Sequence, residues 1–195
     1  MKAMFGVDGC KNGWFYFSLT PGPDASLVYD FGVVTELGDL LEQSTARSRI
    51  LVDMPMGLLD RANKGGPPRD RGCDALARGL LGPRASSVFP APVRAVWEAK
   101  NFLQANALER AATGLGLSQQ TFNIVPKIRE VDALMRRSPA ARRRVREAHP
   151  ELCFRMFKGK PLEHAKKTEE GFRERMTVLS GLWPEAESAI ARAYL

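Results

Sequence analysis

Residues 3–19 read AMFGVDGCKNGWFYFSL and determine how the fold begins. An apolar run ends at Asp8, the residues GCKNG are typical of a tight hairpin turn, and an aromatic-rich run follows. The pattern predicts two antiparallel strands, 3–8 and 14–19. Asp8 is then expected at the carboxyl end of a buried strand, where ligand sites gather in α/β proteins. An aspartate that only caps the following turn would give the same pattern.

The motif RILVDMP at 49–55 is a further strand that ends in a carboxylate. Before it, a PGPD turn at 21–24 leads into a predicted third strand at 26–33. Thr35 is the predicted N-cap of a short helix that ends near Gln43. Because the fourth strand follows this helix, we expect it to run parallel to the first strand. The predicted order is β-β-β-α-β.

Asp53 lies at the end of this fourth strand, and Pro55 prevents the strand ladder from continuing. If strands one and four are adjacent and parallel, the carboxylates of Asp8 and Asp53 lie side by side. Two close carboxylates repel each other unless a cation lies between them or one of them is protonated. Hard divalent ions such as Mg²⁺ or Mn²⁺ prefer oxygen ligands of this kind. The sequence therefore predicts a divalent metal site.

The second half of the chain is mainly helical. Residues 61–140 contain no clear strand and begin with a glycine- and proline-rich loop. A last strand is predicted near 143–149, followed by a helix that Thr168 caps and a short helix after Pro184. The helices predicted before this strand are 72–80, 93–112 and 118–137.

The motif EAHPE at 147–151 follows the last predicted strand. If that strand lies next to the fourth, Glu147 brings a third carboxylate to the edge where Asp8 and Asp53 are expected. His149 can orient a phosphate or a water molecule, although a hydrogen-bonded structural histidine is the more frequent role.

The net charge of +7 is unevenly distributed along the chain. Residues 1–60 hold four Lys/Arg and eight Asp/Glu, so the remainder carries +11. A basic half joined to an acidic, strand-rich half suggests a carboxylate site beside a surface that attracts anions such as RNA or DNA. A basic surface that serves only solubility is the alternative.

Candidate phosphate-binding side chains come from several segments of the basic half. The arginine-rich segment 136–146 suits phosphate geometry, but a solvated helix face is the commoner meaning of such a run. Lys127 could equally pair with Glu130 one helical turn away. The individual candidates for substrate binding are Lys127, Arg129, Lys166, Lys167, Arg84 and Ser86.

Composition limits the class of protein. A chain of 195 residues, 44% of them apolar, is expected to form one domain with its own core. Cys10, Cys73 and Cys153 lack metal-binding spacing, so we expect three small buried side chains in a reducing cytoplasm. No signal peptide or membrane span is indicated. The sequence also lacks the motifs of P-loop nucleotidases, α/β-hydrolases and HExxH metalloproteases.

Six motifs, in order along nearly the whole chain, resemble the domain-of-unknown-function 429 family, described as predicted nucleases with a ribonuclease H fold. They are GVDGCKNGW at 6–14, VDMPMGL at 52–58, RGCDALAR with LGPRASSVFPAP within 71–92, PKIREVD at 126–132, EAHPELCF at 147–154 and KKTEEGFRER at 166–175.

The resemblance implies a ribonuclease H-like α/β fold for residues 1–195. Its mixed five-stranded sheet would have the order 3-2-1-4-5, with flanking helices and a helical insertion at about 61–140 after strand four. For the insertion itself the sequence leaves two alternatives, a lid and the surface of a homodimer. Asp8, Asp53 and Glu147 would be the catalytic metal ligands.

Three functions follow as hypotheses. The first is a metal-dependent nuclease or phosphodiesterase that uses Mg²⁺ or Mn²⁺. The second is a protein that binds nucleic acid or a nucleotide without cleaving it. The resemblance implies a fourth acidic metal ligand in a last helix, and the final residues AIARAYL contain no counterpart. Glu169, Glu170 or Glu174 would otherwise have to replace that ligand. The third is an actin-like nucleotide phosphotransferase, whose core also opens with a strand followed by Asp-Gly.

Overall fold

A computed structural model describes residues 2–24, 26–60 and 71–193. It confirms the predicted α/β class. The strands are β1 (Met4–Cys10), β2 (Gly13–Pro21), β3 (Leu27–Val34), β4 (Arg49–Val52) and β5 (Val145–Glu147). The α-helices are α1 (Leu37–Gln43), α2 (Gly72–Leu81), α3 (Phe102–Thr113), α4 (Gln119–Arg137), α5 (Pro139–Arg144), α6 (Pro150–Lys158), α7 (Glu169–Leu182) and α8 (Ala186–Ala193). Short 3-10 helices span Gly82–Ser87 and Arg94–Glu98. None of the described helices is long and apolar enough to cross a membrane.

The five strands form one mixed sheet in the order β3-β2-β1-β4-β5, which confirms the expected order. Strand β2 runs antiparallel to β1 and β3, whereas β4 runs parallel to β1 and β5. Strands β3, β1, β4 and β5 therefore end at the same side of the sheet. We call that side the carboxyl edge, and the side where these four strands begin the amino edge.

Helices α1, α4 and α5 pack on one face of the sheet and bury its centre. Its side chains alternate along the strands, and those of Trp14, Ile50 and Val52 have no exposed surface. Glu130 of α4 ties this layer together. One of its oxygens accepts hydrogen bonds from Trp14 Nε1 at 2.8 Å and from the Leu37 backbone N–H at 2.7 Å. Glu130 thereby links the first β-hairpin, the start of α1 and the middle of α4.

The other face of the sheet is only partly covered, by α7 and α8. Trp183 packs edge-on against Phe17 and Tyr29, with ring centroids 6.1 and 5.6 Å apart, and Arg192 donates to the Tyr29 hydroxyl at 2.9 Å. Beside these contacts a mainly apolar cavity of about 720 Å³ separates the helices from Phe15 and Phe17 of β2. The aromatic side chains of this sheet face are consequently only half-buried.

Several predicted boundaries were wrong. Glu36, not Thr35, is the N-cap of α1 and forms a capping box with Asp39. The helix predicted over 93–112 is divided, because Asn101 caps a new helix by accepting from the Gln104 N–H. The strand predicted near 143–149 has only three residues, since α5 continues to Arg144. Helix α6, which begins at Pro150, was not predicted.

The cysteines also differ from expectation. All three are free thiols, but Cys73 is exposed, and Cys10 and Cys153 are only half-buried. Cys73 lies in the first turn of α2 on the exposed side of the helix, whereas Asp74 and Ala77 lie on its buried side. The start of the predicted insertion, residues 61–70, lies outside the described residues.

Candidate functional site

Asp8 and Asp53 lie side by side at the carboxyl edge, as predicted. The β1–β4 register pairs Val7 with Val52, and the Asp53 backbone N–H donates to the Val7 carbonyl at 3.0 Å. The next residue on each strand is therefore the aspartate, and both side chains point to the same face of the sheet. Asp8 is exposed, whereas Asp53 is half-buried.

The charges around Asp53 define a small polar site. Burial, the neighbouring Asp8 carboxylate and, least of all, Glu147 raise the pKa of Asp53, whereas His149 and Lys166 lower it, and the net result is a pKa of about 6. We call these four residues, Asp8, Asp53, His149 and Lys166, the carboxylate site. Its two acids destabilise each other when both are ionised, and a cation between them would remove that cost.

The elevated pKa of Asp53 predicts how stability changes with pH. Between pH 3.8, its ordinary pKa, and about 6, the folded protein retains a proton that the unfolded chain has released. Rising pH across this window therefore lowers the free energy of unfolding. Asp53→Asn should make the protein more stable than the wild type by ~1–2 kcal/mol at neutral pH, after allowance for solvent screening.

Urea unfolding of both proteins along a pH series measures this effect. The two curves should converge below pH 3.8 and separate towards neutral pH. A difference that is constant with pH would mean that Asp53 has an ordinary pKa.

Glu147, the predicted third metal ligand, is instead held by an arginine. Arg71 Nη1 and Nη2 each donate to one oxygen of Glu147 at 2.7 Å, and the Met56 backbone N–H donates to the same carboxylate at 2.9 Å. The β4–β5 register pairs Glu147 with Val52, one residue short of Asp53. Within residues 2–24, 26–60 and 71–193, no group of three or more His, Cys, Asp or Glu side chains could hold a metal ion together.

Arg71 is the centre of a buried ion network that the sequence did not reveal. Its guanidinium also donates to both oxygens of Asp74, at 2.8 and 2.5 Å, and to the Met56 carbonyl at 2.5 Å. Arg71 and Asp74 are 7% and 4% exposed, so their charges are almost wholly removed from water. The network fixes the segment after Asp53 to α2 and β5. The spacing of Arg71 and Asp74 was a usable signal for a pair, but not for the long-range contact with Glu147.

His149 contacts the loop that contains the predicted residues Arg84 and Ser86. Its Nε2 lies 3.1 Å from the Ser87 carbonyl, which can only accept, so Nε2 carries the proton in that contact. The buried Nδ1 has no hydrogen-bond partner among the described residues. Near Asp53, His149 thus has a ring nitrogen that no described residue bonds to.

Lys127 reaches the carboxyl edge from α4. Its ammonium group lies 4.6 Å from the centre of the Trp14 ring and 3.9 Å from Glu130, which confirms the predicted pair. A Cβ atom at Gly9 would lie 3.5 Å from Lys127 Cγ, so the absence of a side chain after Asp8 leaves room for this lysine. Arg129 is exposed and faces away, towards a groove beside Trp97.

The remaining candidates differ in how far they are available. Arg84 pairs with Glu151 at 3.5 Å, and Glu151 also pairs with Arg175. Ser86 and Lys167 are exposed.

The three acids that could replace the fourth ligand lie elsewhere. Glu174 accepts hydrogen bonds from Lys158 and from two backbone N–H groups. Glu169 pairs with Arg173, whereas Glu170 lines a shallow pocket. None of these three acids is among the charges that act on Asp53.

The arginine-rich segment does not lie at the carboxylate site. Helix α5 precedes β5, and Arg144 donates to the Leu41 carbonyl at the end of α1. The start of β5 and the end of α1 both lie at the amino edge, so helix α5 lies there too.

The family model described as "Protein of unknown function (DUF429)" matches residues 6–194. No curated protein and no solved structure matches the chain.

Proposed function

Since the chain belongs to the DUF429 family of proteins of unknown function, we propose that it is a metal-dependent nuclease or phosphodiesterase with a ribonuclease H-like fold. Asp8 and Asp53 would hold Mg²⁺ or Mn²⁺ at the carboxyl edge. The pairing of these two carboxylates by adjacent parallel strands is the observation that carries the proposal. Ligand sites of α/β sheets lie outside the carboxyl ends of the strands, which is where both residues are found.

The donor set fits a hard divalent ion with an incomplete protein shell. Two carboxylates supply a few oxygen ligands, and Mg²⁺ commonly binds to one or two carboxylates while water and phosphate oxygens complete its octahedron. Such an ion would polarise the phosphoryl oxygen and lower the pKa of a bound water. Glu147 has no part in this set, because Arg71 and the Met56 N–H occupy both of its oxygens.

The surrounding residues have roles of their own in this proposal. His149 lies close enough to Asp53 for its charge to act on that carboxylate, so it would help to orient a phosphate or a water molecule at the site. Lys166 and Lys127 supply positive charge for a phosphodiester that approaches the carboxyl edge. Asp53, with a pKa of about 6, changes protonation close to neutral pH, so metal binding should weaken as pH falls through that value.

Calorimetric titration with MnCl₂ tests the metal site directly. Asp8→Asn and Asp53→Asn should each weaken Mn²⁺ binding by about tenfold to a hundredfold, because each removes a ligand and a charge. Asp24→Asn is the matched control, since Asp24 bonds to Ser26 in the turn after β2, at the amino edge. Equal affinity in all four proteins would contradict the site.

A protein that binds nucleic acid without cleaving it is the second candidate. The pairing of Glu147 with Arg71 favours this candidate, because only two carboxylates, Asp8 and Asp53, remain available to a metal ion. Retained affinity for nucleic acid with no Mn²⁺ binding and no cleavage would establish this alternative.

A further inference from the structure

The amino edge of the sheet concentrates the positive charge of the protein. Residues 41–49 and 133–146, which meet at this edge, contain eight arginines and a single acidic residue, Glu42. Their net charge of +7 equals that of the whole chain, so the remaining residues are neutral overall. We call this surface the arginine edge. Seven of the eight arginines are exposed or half-buried and form this surface, namely Arg47, Arg49, Arg136, Arg137, Arg142, Arg143 and Arg146, whereas Arg144 is buried against the end of α1.

These arginines lack the carboxylate partners that arginines elsewhere have. Arg71, Arg94 and Arg175 each pair with buried or half-buried acids. Along the described part of the arginine edge the one ion pair is that of Arg136 with Asp132, at 4.0 Å. The positive potential of this surface is therefore uncompensated by the protein itself.

Three of the exposed or half-buried guanidinium groups are held in place by backbone carbonyls. Arg142 Nη1 donates to the Met135 and Arg136 carbonyls, both at 2.9 Å, at the end of α4. Arg146 Nη1 donates to the carbonyls of Arg142 and Val145, at 2.8 and 2.7 Å.

Arg49 uses Nη1 in the same way, towards the Ser48 carbonyl at 3.2 Å. Among the described residues, Nη2 of Arg49, Arg142 and Arg146 donates to no protein acceptor. Each group is thus oriented by one nitrogen while another remains for an external anion, which lowers the entropic cost of binding. A guanidinium of this kind matches the two oxygens of a phosphate.

We infer that the arginine edge binds the phosphate backbone of double-stranded nucleic acid. The two segments contain no Phe, Tyr or Trp, so they offer no platform on which unpaired bases could stack. Recognition would rest on backbone phosphates, and a duplex presents these most densely. A membrane surface fits less well, because the large apolar residues of segment 133–146 are not exposed for insertion into lipid: Leu134 and Val145 are buried and Met135 is half-buried.

This surface is separate from the carboxylate site, which lies at the opposite edge of the sheet. A duplex on the arginine edge would not have its contacted phosphates at Asp8 and Asp53. The edge would instead hold a long nucleic acid while another part of the same polymer reaches the carboxyl edge. The inference concerns binding alone and does not depend on metal or cleavage.

Fluorescence anisotropy with a labelled duplex of about 20 base pairs, in EDTA, tests the inference. The variant carries Arg137→Gln, Arg142→Gln, Arg143→Gln and Arg146→Gln. We expect its affinity at about 0.1 M salt to fall on the order of a hundredfold, and the slope of log K against log [salt] to become shallower by roughly 3. DNA and RNA duplexes are titrated in parallel to show which one is preferred.

The control removes the same number of charges elsewhere, by Lys100→Gln, Arg110→Gln, Lys160→Gln and Arg173→Gln. All four residues are exposed and lie outside both sites. The control should bind within about threefold of the wild type. If both variants lose the same affinity for the duplex, net charge alone explains the binding and the inference is overturned. Tighter binding to anionic vesicles than to either duplex would also overturn it.

Because Arg142 also bonds to the end of α4, a milder variant guards against misfolding. Arg137→Gln with Arg143→Gln removes two guanidiniums that bond to no described residue. Its salt slope should change by about half as much as that of the fourfold variant, and it should melt at the wild-type temperature. Unchanged binding by this folded double variant would also count against the arginine edge.

Discussion

Asp8→Asn should reduce metal-dependent hydrolysis of an oligonucleotide by about a thousandfold or more, with little change in fold. The amide keeps the size and hydrogen-bonding capacity of the side chain but removes the charge that would hold the ion. Lewis-acid activation by such an ion contributes several kcal/mol to the transition state, and each 1.36 kcal/mol corresponds to about tenfold in rate. Asp8 is exposed at the end of β1, so the substitution leaves the core untouched.

The measurement is initial rates on labelled single-stranded and duplex substrates with saturating Mn²⁺. Asp24→Asn again serves as the control and should retain the wild-type rate, because Asp24 lies in the turn between β2 and β3. Cleavage by Asp8→Asn within about tenfold of the wild type would remove Asp8 from the proposed mechanism.

Arg71→Met should lower the free energy of unfolding by about 3–5 kcal/mol, the largest change in stability that we expect. Methionine approximates the length of the arginine stem but leaves the carboxylates of Asp74 and Glu147 without their cation. Breaking a buried ion network from one side is costly because a charge remains uncompensated in a poorly hydrated environment. Asp74 is 4% exposed and has few means of recruiting water.

Chemical denaturation of Arg71→Met and of Arg173→Met compares the loss of an arginine from a buried ion network with the loss of an arginine from a surface ion pair. Arg173 pairs with Glu169 on the surface of α7, so its replacement should cost less than about 1 kcal/mol. Adding Asp74→Leu to Arg71→Met should restore part of the lost stability. Similar losses for the two single variants would show that the Arg71 network is no stronger than a surface pair.

The sequence was most informative where a single local pattern decides the structure. The hairpin around GCKNG predicts that β1 and β2 are antiparallel, and the helix before RILVDMP predicts that β4 is parallel to β1. The full strand order was expected only from the resemblance to the DUF429 family. Helix α4 was placed correctly because Ser118 caps its start, accepting from the Thr121 N–H. Strand β5 was too long in the prediction, since its three residues carry almost no periodic signal.

The site was predictable only in the part that follows from strand direction. Asp8 and Asp53 meet because parallel neighbours end together, and this is visible in the sequence. The fate of Glu147 depends on Arg71, which is 76 residues away, and no local pattern links them. A carboxylate at a strand end can bind metal or an arginine equally well, and the choice depends on which partner the tertiary structure brings near.

The partly covered sheet face has a consequence for cooperativity. On the α4 side, helices and strands share a closed core and should open only when the whole molecule unfolds. On the opposite side, the stacking of Trp183 and the Arg192–Tyr29 bond secure the C-terminal helices across a cavity. Amide protons of α8 should therefore exchange through sub-global opening, at a lower free energy than those of β1 and β4. The two faces of one sheet thus belong to two folding units of unequal strength.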